Sequence, residues 1–247
     1  MSGMDLTPYR IWAKETLGFE FNDIQLLVTA LTHRSYVNEH KKSTKEHNER
    51  LEFLGDAVLE LVTTRFLFDN YDEAEGVLTS WRAALVRTES IAEAGTKLNY
   101  APLLRMSRGE KHGSERAKLH IVANAFEAVI GAVYLDQGYD AATEVINKYI
   151  LSKTTSILEA GQWRDPKSSL QEVSQRIEGK TPKYKVIKED GPDHDKLFEV
   201  GAYVNGILKG KGQGTSKQTA QQEAARQALE KYDNERKTIY NSEKKKI

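Results

Sequence analysis

The sequence predicts a mostly α-helical domain followed by a small α+β domain of order α-β-β-β-α. Three observations carry this reading. From residue 7 to about residue 156 apolar side chains recur at helical spacing, with few Gly or Pro between them. Residues 159–166 (EAGQWRDP) interrupt that spacing with Gly, Asp and Pro. Beyond them, strand-like alternation lies between two helical stretches in a compact α+β order.

The expected boundaries are 5–157 for the helical domain, 158–165 for a linker, 166–233 for the second domain and 234–247 for a flexible tail. In the first domain Leu51, Leu54, Val58, Leu61 and Val62 mark one helix, and Ile121, Ala125, Val129 and Val133 another. In the second, 168–178 reads as a helix, 183–189 (KYKVIKE), 197–204 and 207–211 as strands, and 217–232 as an alanine-rich helix. Gly210 to Ala225 (GKGQGTSKQTAQQEAA) holds a Gly-rich turn, a Thr-Ser capping pair and Lys217 at the start of a helix, a place where free N–H groups and the positive helix end attract phosphate. The tail lacks an apolar face and reads as a frayed, solvated end.

Composition limits the chemistry. With no cysteine, thiolate metal sites, disulfides and a cysteine nucleophile are excluded, which fits a reducing cytoplasm. Any metal must be held by oxygen or imidazole. Acidic and basic side chains balance at 36 each, so nucleic-acid binding has to rest on local patches. No basic n-region precedes an apolar run, and no stretch approaches the roughly 20 apolar residues of a membrane span, so a soluble cytoplasmic protein is expected.

Residues 47–61 (HNERLEFLGDAVLEL) place Glu49, Glu52 and Asp56 at steps of three and four, on one face of a helix whose Phe53, Leu54, Ala57 and Val58 should face a core. Such a stripe is either a solvated face or half of a cation site. Residues 121–136 (IVANAFEAVIGAVYLD) are apolar except for Asn124 and Glu127, one helical turn apart, before the closing Asp136. A carboxylate on a buried helix needs a partner. That partner is a neighbouring Arg or Lys, or a divalent cation shared with Glu52 and Asp56. Oxygen-only ligation of this kind suits Mg²⁺ or Mn²⁺, which position a phosphate and activate water.

The run NERLEFLGDAVLEL closely resembles the signature segment of the ribonuclease III family. The upstream LTHRSY (31–36) and downstream ANAFEAVIGAVYLD fit the same family in the same order. The resemblance implies an all-helical endonuclease domain in which Glu52, Asp56, Asn124 and Glu127 bind Mg²⁺, with Mn²⁺ able to substitute. Glu49 and Glu75 match two further acidic positions near the scissile phosphate. It also implies a homodimer, with Phe53 inserting into the partner, that cuts each strand of an RNA duplex once; a place for Phe53 in the core of its own subunit is the alternative.

The C-terminal segment resembles the double-stranded-RNA-binding domain throughout its length. This implies minor-groove contacts from Gln171 and Gln175 on the first helix, a second groove contact from Pro192, Asp193 and His194, and phosphate contacts from Lys217. Such a module recognises A-form shape more than sequence. The implied activity is hydrolysis of double-stranded RNA to 5′-phosphate and 3′-hydroxyl ends, acting on ribosomal RNA precursors and other structured transcripts.

Three departures from the family pattern stand out. Asn124 occupies a position where most members carry Asp, which keeps a ligating oxygen but removes a charge. Either the site still cuts, or the protein is a weakened nuclease that binds and regulates duplex RNA. Gln218 replaces a common second lysine, which should weaken the phosphate contact. His112 and Ser114 replace Ser and Gly, and His112 reads as a surface loop residue beside the retained Lys111.

Overall fold

The computed structural model describes residues 4–41, 45–159, 161, 163, 165–192 and 196–244, with side chains through 232 and at 234. The chain forms two compact units, 1–163 and 164–247.

The first unit is helical. α1 (Thr7–Trp12) continues through a π turn, Ala13–Leu17, and is followed by α2 (Ile24–Ala30) and α3 (Arg34–Glu39). Two long helices, α4 (Glu49–Asn70) and α8 (Glu115–Gln137), form its centre. Between them lie α5 (Glu75–Leu85), α6 (Thr88–Leu98) and the short α7 (Arg108–Lys111). α9 (Tyr139–Tyr149) and α10 (Thr154–Glu159) complete the unit.

α8 is the core helix: Ile121, Ala125, Phe126, Val129, Ile130 and Val133 are all buried. By length and composition it could span a membrane, contrary to the sequence expectation that no stretch approaches that length. Its apolar side chains are instead packed inside this unit. Asp136 fastens its last turn to the start of α2 by accepting hydrogen bonds from the Asn22 and Asp23 N–H groups at 2.8 and 2.7 Å.

The LTHRSY segment is a clasp. His33 caps α3 by accepting from the Ser35 N–H, the Ser35 hydroxyl receives the Ser107 N–H at 3.0 Å, and Arg105 lies over the Tyr36 ring at 4.2 Å. The segment thereby ties α3 to the strand-like stretch in front of α7.

α4 departs from the sequence expectation on one side. Leu51, Val58 and Val62 are buried, but Phe53 is 81% exposed and Ala57 is exposed too. Further along the same side Leu61 and Phe68 are open to solvent at 57% and 74%. Phe53 therefore has no place in the core of its own subunit, because α8 already fills the inner face of α4.

The second unit packs α11 (Pro166–Glu178) and α12 (Lys217–Lys244) on one face of an antiparallel sheet of order β1-β2-β3. The strands are β1 (Lys183–Asp190), β2 (Leu197–Val204) and β3 (Ile207–Gly214). Leu170, Val200, Ala202, Ala220, Ala224 and Ala228 make the core.

Two readings are corrected here. The Gly-rich run expected to turn after Lys211 stays in the strand through Gly214, with Gly212 to Gly214 paired with Val200 to Phe198. The glycines serve close packing: a Cβ at Gly212 would fall onto the backbone of Ala220 and Ala224. The second correction concerns α12, which runs on to Lys244 where the sequence suggested a frayed tail from 234.

Candidate active site

The site depends on how closely α4 and α8 cross. Gly55 faces the backbone of Glu127, and a Cβ there would overlap the Glu127 carbonyl. Gly131 faces Leu51 in the same way, so the two helices meet backbone to backbone. Asp56 directly follows Gly55 and Glu52 precedes it by three residues on α4, while on α8 Glu127 is itself at the contact and Asn124 precedes it by three. Side chains of ordinary size at 55 and 131 would hold these four apart.

The electrostatics show that they interact. Burial raises the Glu127 carboxyl to about 7, and the charges of Asp56 and Glu52 add to the shift. Burial also raises Glu52, as do Glu49 and Asp56, while a side-chain hydrogen bond from Asn124 acts the other way. Among the described residues no Lys or Arg pairs with Glu127, which removes the ion-pair explanation for its burial.

Among the described residues no three His, Asp or Glu side chains already converge as a metal site. Three mutually repelling acids and an amide have no cause to close up on their own. The donor set nevertheless fits a hard divalent cation. It offers only oxygen, it is half-buried, and its charge is unbalanced by any basic side chain.

Glu49 opens α4 and is paired with Arg34 at 3.2 Å and with His47 at 3.8 Å. It reaches the cluster through its charge on Glu52. Glu75 opens α5 and is exposed, and its charge does not contribute to the shifts of Glu52 or Glu127. The structure thus sets Glu52, Asp56, Asn124 and Glu127 along one helix crossing, within reach of one another's charge but not converged, has Glu49 act on Glu52, and leaves Glu75 outside. His112 ends α7 on the surface.

In the second unit Gln171 and Gln175 are exposed on α11, one turn apart. Lys217 opens α12, whose first turn is capped by Ser216 accepting from the Thr219 N–H at 3.1 Å. Lys217 is paired with Glu189 at 3.0 Å and lies over the Phe198 ring at 5.4 Å. Gln171 and Gln218 line a common cavity of about 300 Å³ with Lys167, Tyr184 and Gln222. Pro192 is exposed, and Asp193 and His194 lie outside the described residues.

Two families match this chain: residues 23–154 fit one described as Ribonuclease-III-like, and residues 166–232 fit the double-stranded RNA binding motif. A Ribonuclease 3 from Listeria welshimeri is 41% identical over 220 residues, covering 87% of this chain and 94% of the relative. The chain belongs to the ribonuclease III family. A Ribonuclease 3 from Pelotomaculum thermopropionicum is 43% identical over 221 residues, covering 89% of this chain and 92% of its own length. The solved nuclease domain of ribonuclease III from Campylobacter jejuni is 41% identical with a TM-score of 0.51, and covers 57% of this chain and 95% of that one.

Within this ribonuclease III chain, sequence reasoning missed three things. Gly55 and Gly131 were unremarked, although a glycine in each of two long helices is the signal for a close crossing. The influence of Asn124 on Glu52 joins distant segments and has no local sequence signal. Glu189 as the partner of Lys217 went unseen for the same reason.

Proposed function

We propose that this protein is an endoribonuclease that hydrolyses phosphodiester bonds in double-stranded RNA, with Mg²⁺ held by Glu52, Asp56, Asn124 and Glu127. The observation that carries this is the α4–α8 crossing, which gathers three acids and an amide with no basic side chain among them. A divalent cation bound there supplies Lewis-acid stabilisation and activation of water, and Mn²⁺ would substitute. The chain's own residues hold and orient. Asn124 would help orient the Glu52 carboxylate, and Glu49, whose charge acts on Glu52, would meet the approaching phosphate. Glu75 approaches the scissile phosphate from α5.

The C-terminal unit holds the duplex through Gln171, Gln175, Pro192, Asp193, His194 and Lys217. Binding requires Lys217 to exchange Glu189 for an RNA phosphate. A homodimer would let each strand be cut once. The exposed side of α4 supports it, as does a cavity of about 830 Å³ beside Phe53, lined by Leu26, Leu51, Leu54 and Leu135 and large enough for a ring from a second copy. The substrates would be ribosomal RNA precursors and structured transcripts, in the cytoplasm.

The test is cleavage of one labelled sequence offered as RNA duplex, single-stranded RNA and DNA duplex, with Mg²⁺, with Mn²⁺ and with chelator. Metal-dependent cutting of the RNA duplex alone is expected. Tight duplex binding without cutting in either metal would make the protein a non-cutting RNA binder.

A further inference from the structure

The chain that leaves α10 does not simply run out as a tether. Trp163 turns back onto its own unit, with its ring edge-on to Trp81 at 5.8 Å and its indole N–H donating to the Leu158 carbonyl at 3.3 Å. Trp81, on α5, meets Tyr71 edge-on at 5.1 Å, and Tyr71 meets Phe66 of α4 at 6.3 Å. Four rings therefore run from α4, through the chain between α4 and α5, to the exit segment. Edge-to-face pairs fix ring orientation as well as burying area.

Glu75 lies between two of these rings in sequence, four residues after Tyr71 and six before Trp81. Its neighbourhood has little else to hold it. Residues 72–76 are all exposed, and among the described residues Asp72, Glu73 and Glu75 make no ion pair or side-chain hydrogen bond. The edge-on rings therefore hold α5 against the unit together with Val77 and Leu78, packed on the core, and Arg82, paired with Glu60 at 3.0 Å.

We infer that Trp163 is a positioning residue for Glu75: packed on Trp81, it sets α5 and the Tyr71 corner so that Glu75 is presented in one place. This rests on Glu75 being one of the acids beside the scissile phosphate, and the two ideas are tested separately. It makes the exit segment part of the cutting machinery, and no longer only the link to the RNA-binding unit.

The experiment uses the full chain, with Trp163→Ala, Trp163→Phe and Glu75→Gln beside the natural protein. It follows hydrogen exchange over 71–85, kcat and KM on a labelled duplex, and duplex affinity in chelator. Trp163→Ala should speed exchange over 71–85 by about tenfold while the first half of α4 is unchanged. It should lower kcat by about fivefold or more, with KM and duplex affinity within about twofold. Trp163→Phe should restore both. Trp163→Leu is read in the same way where Ala does not fold. Unchanged exchange over 71–85 overturns the proposal, as does faster exchange with kcat intact. Glu75→Gln cutting at the natural rate would remove Glu75 from the site, and the positioning role with it.

Discussion

Asn124 sets the charge of the cluster. With an amide at 124 the cluster has three acids and not four, so the metal-free fold suffers less repulsion and a cation there would be held by less charge. Asn124→Asp should lower the Mg²⁺ concentration for half-maximal cutting and lower the Tm in chelator. An unchanged or raised Mg²⁺ requirement would show that the site has adapted to the amide. Glu127 yields a second expectation. Its carboxyl is raised from 4.5 to about 7, so between those values the folded state binds more protons than the unfolded one. Stability in chelator should therefore fall as pH rises through that window, and Glu127→Gln should relieve it. The variant should melt higher than the natural protein at pH 8 and not at pH 5; an equal difference at both would contradict the assignment. At this scale the acids were legible, because helical spacing alone puts Glu49, Glu52 and Asp56 on one face. Their neighbours across the crossing were not, because no local pattern says which helices touch.

The central element is the pair α4 and α8. With Gly55 and Gly131 in contact, the helices lie too close for any side chain between them. Gly55→Ala forces the Glu127 backbone away, an overpacking that costs about 1–3 kcal/mol in an ordinary core and more against backbone. It should lower the denaturation midpoint and weaken Mn²⁺ binding together, as followed by urea titration and calorimetry. Loss of stability with metal affinity intact would separate the crossing from the site. Periodicity made both helices readable, yet it misassigned the outer side of α4, since an apolar residue bound for a partner looks the same as one bound for the core. The strand at Gly212 to Gly214 was misread as a turn because glycine serves both needs, and only the alanines of α12 lying across it decide which.

At the scale of the molecule, two units carry two tasks, and their order was legible because the change from helical to alternating spacing is abrupt at 159–166. The exposed Phe53, Leu61 and Phe68 lie along one side of α4, an apolar surface suited to a second copy. Phe53→Ala should shift the protein toward monomer in sedimentation equilibrium; a natural protein that is already monomeric at micromolar concentration would contradict the dimer. A cation held at the α4–α8 cluster, as proposed, would make duplex cleavage depend on Glu127. The direct measurement is the rate of duplex cleavage across a Mg²⁺ titration for the natural protein and for Glu127→Gln, with duplex affinity followed alongside in chelator. Saturable, metal-dependent cutting by the natural protein is expected, with cutting lost and duplex affinity retained in the variant. Equal turnover by both at saturating Mg²⁺ would contradict it.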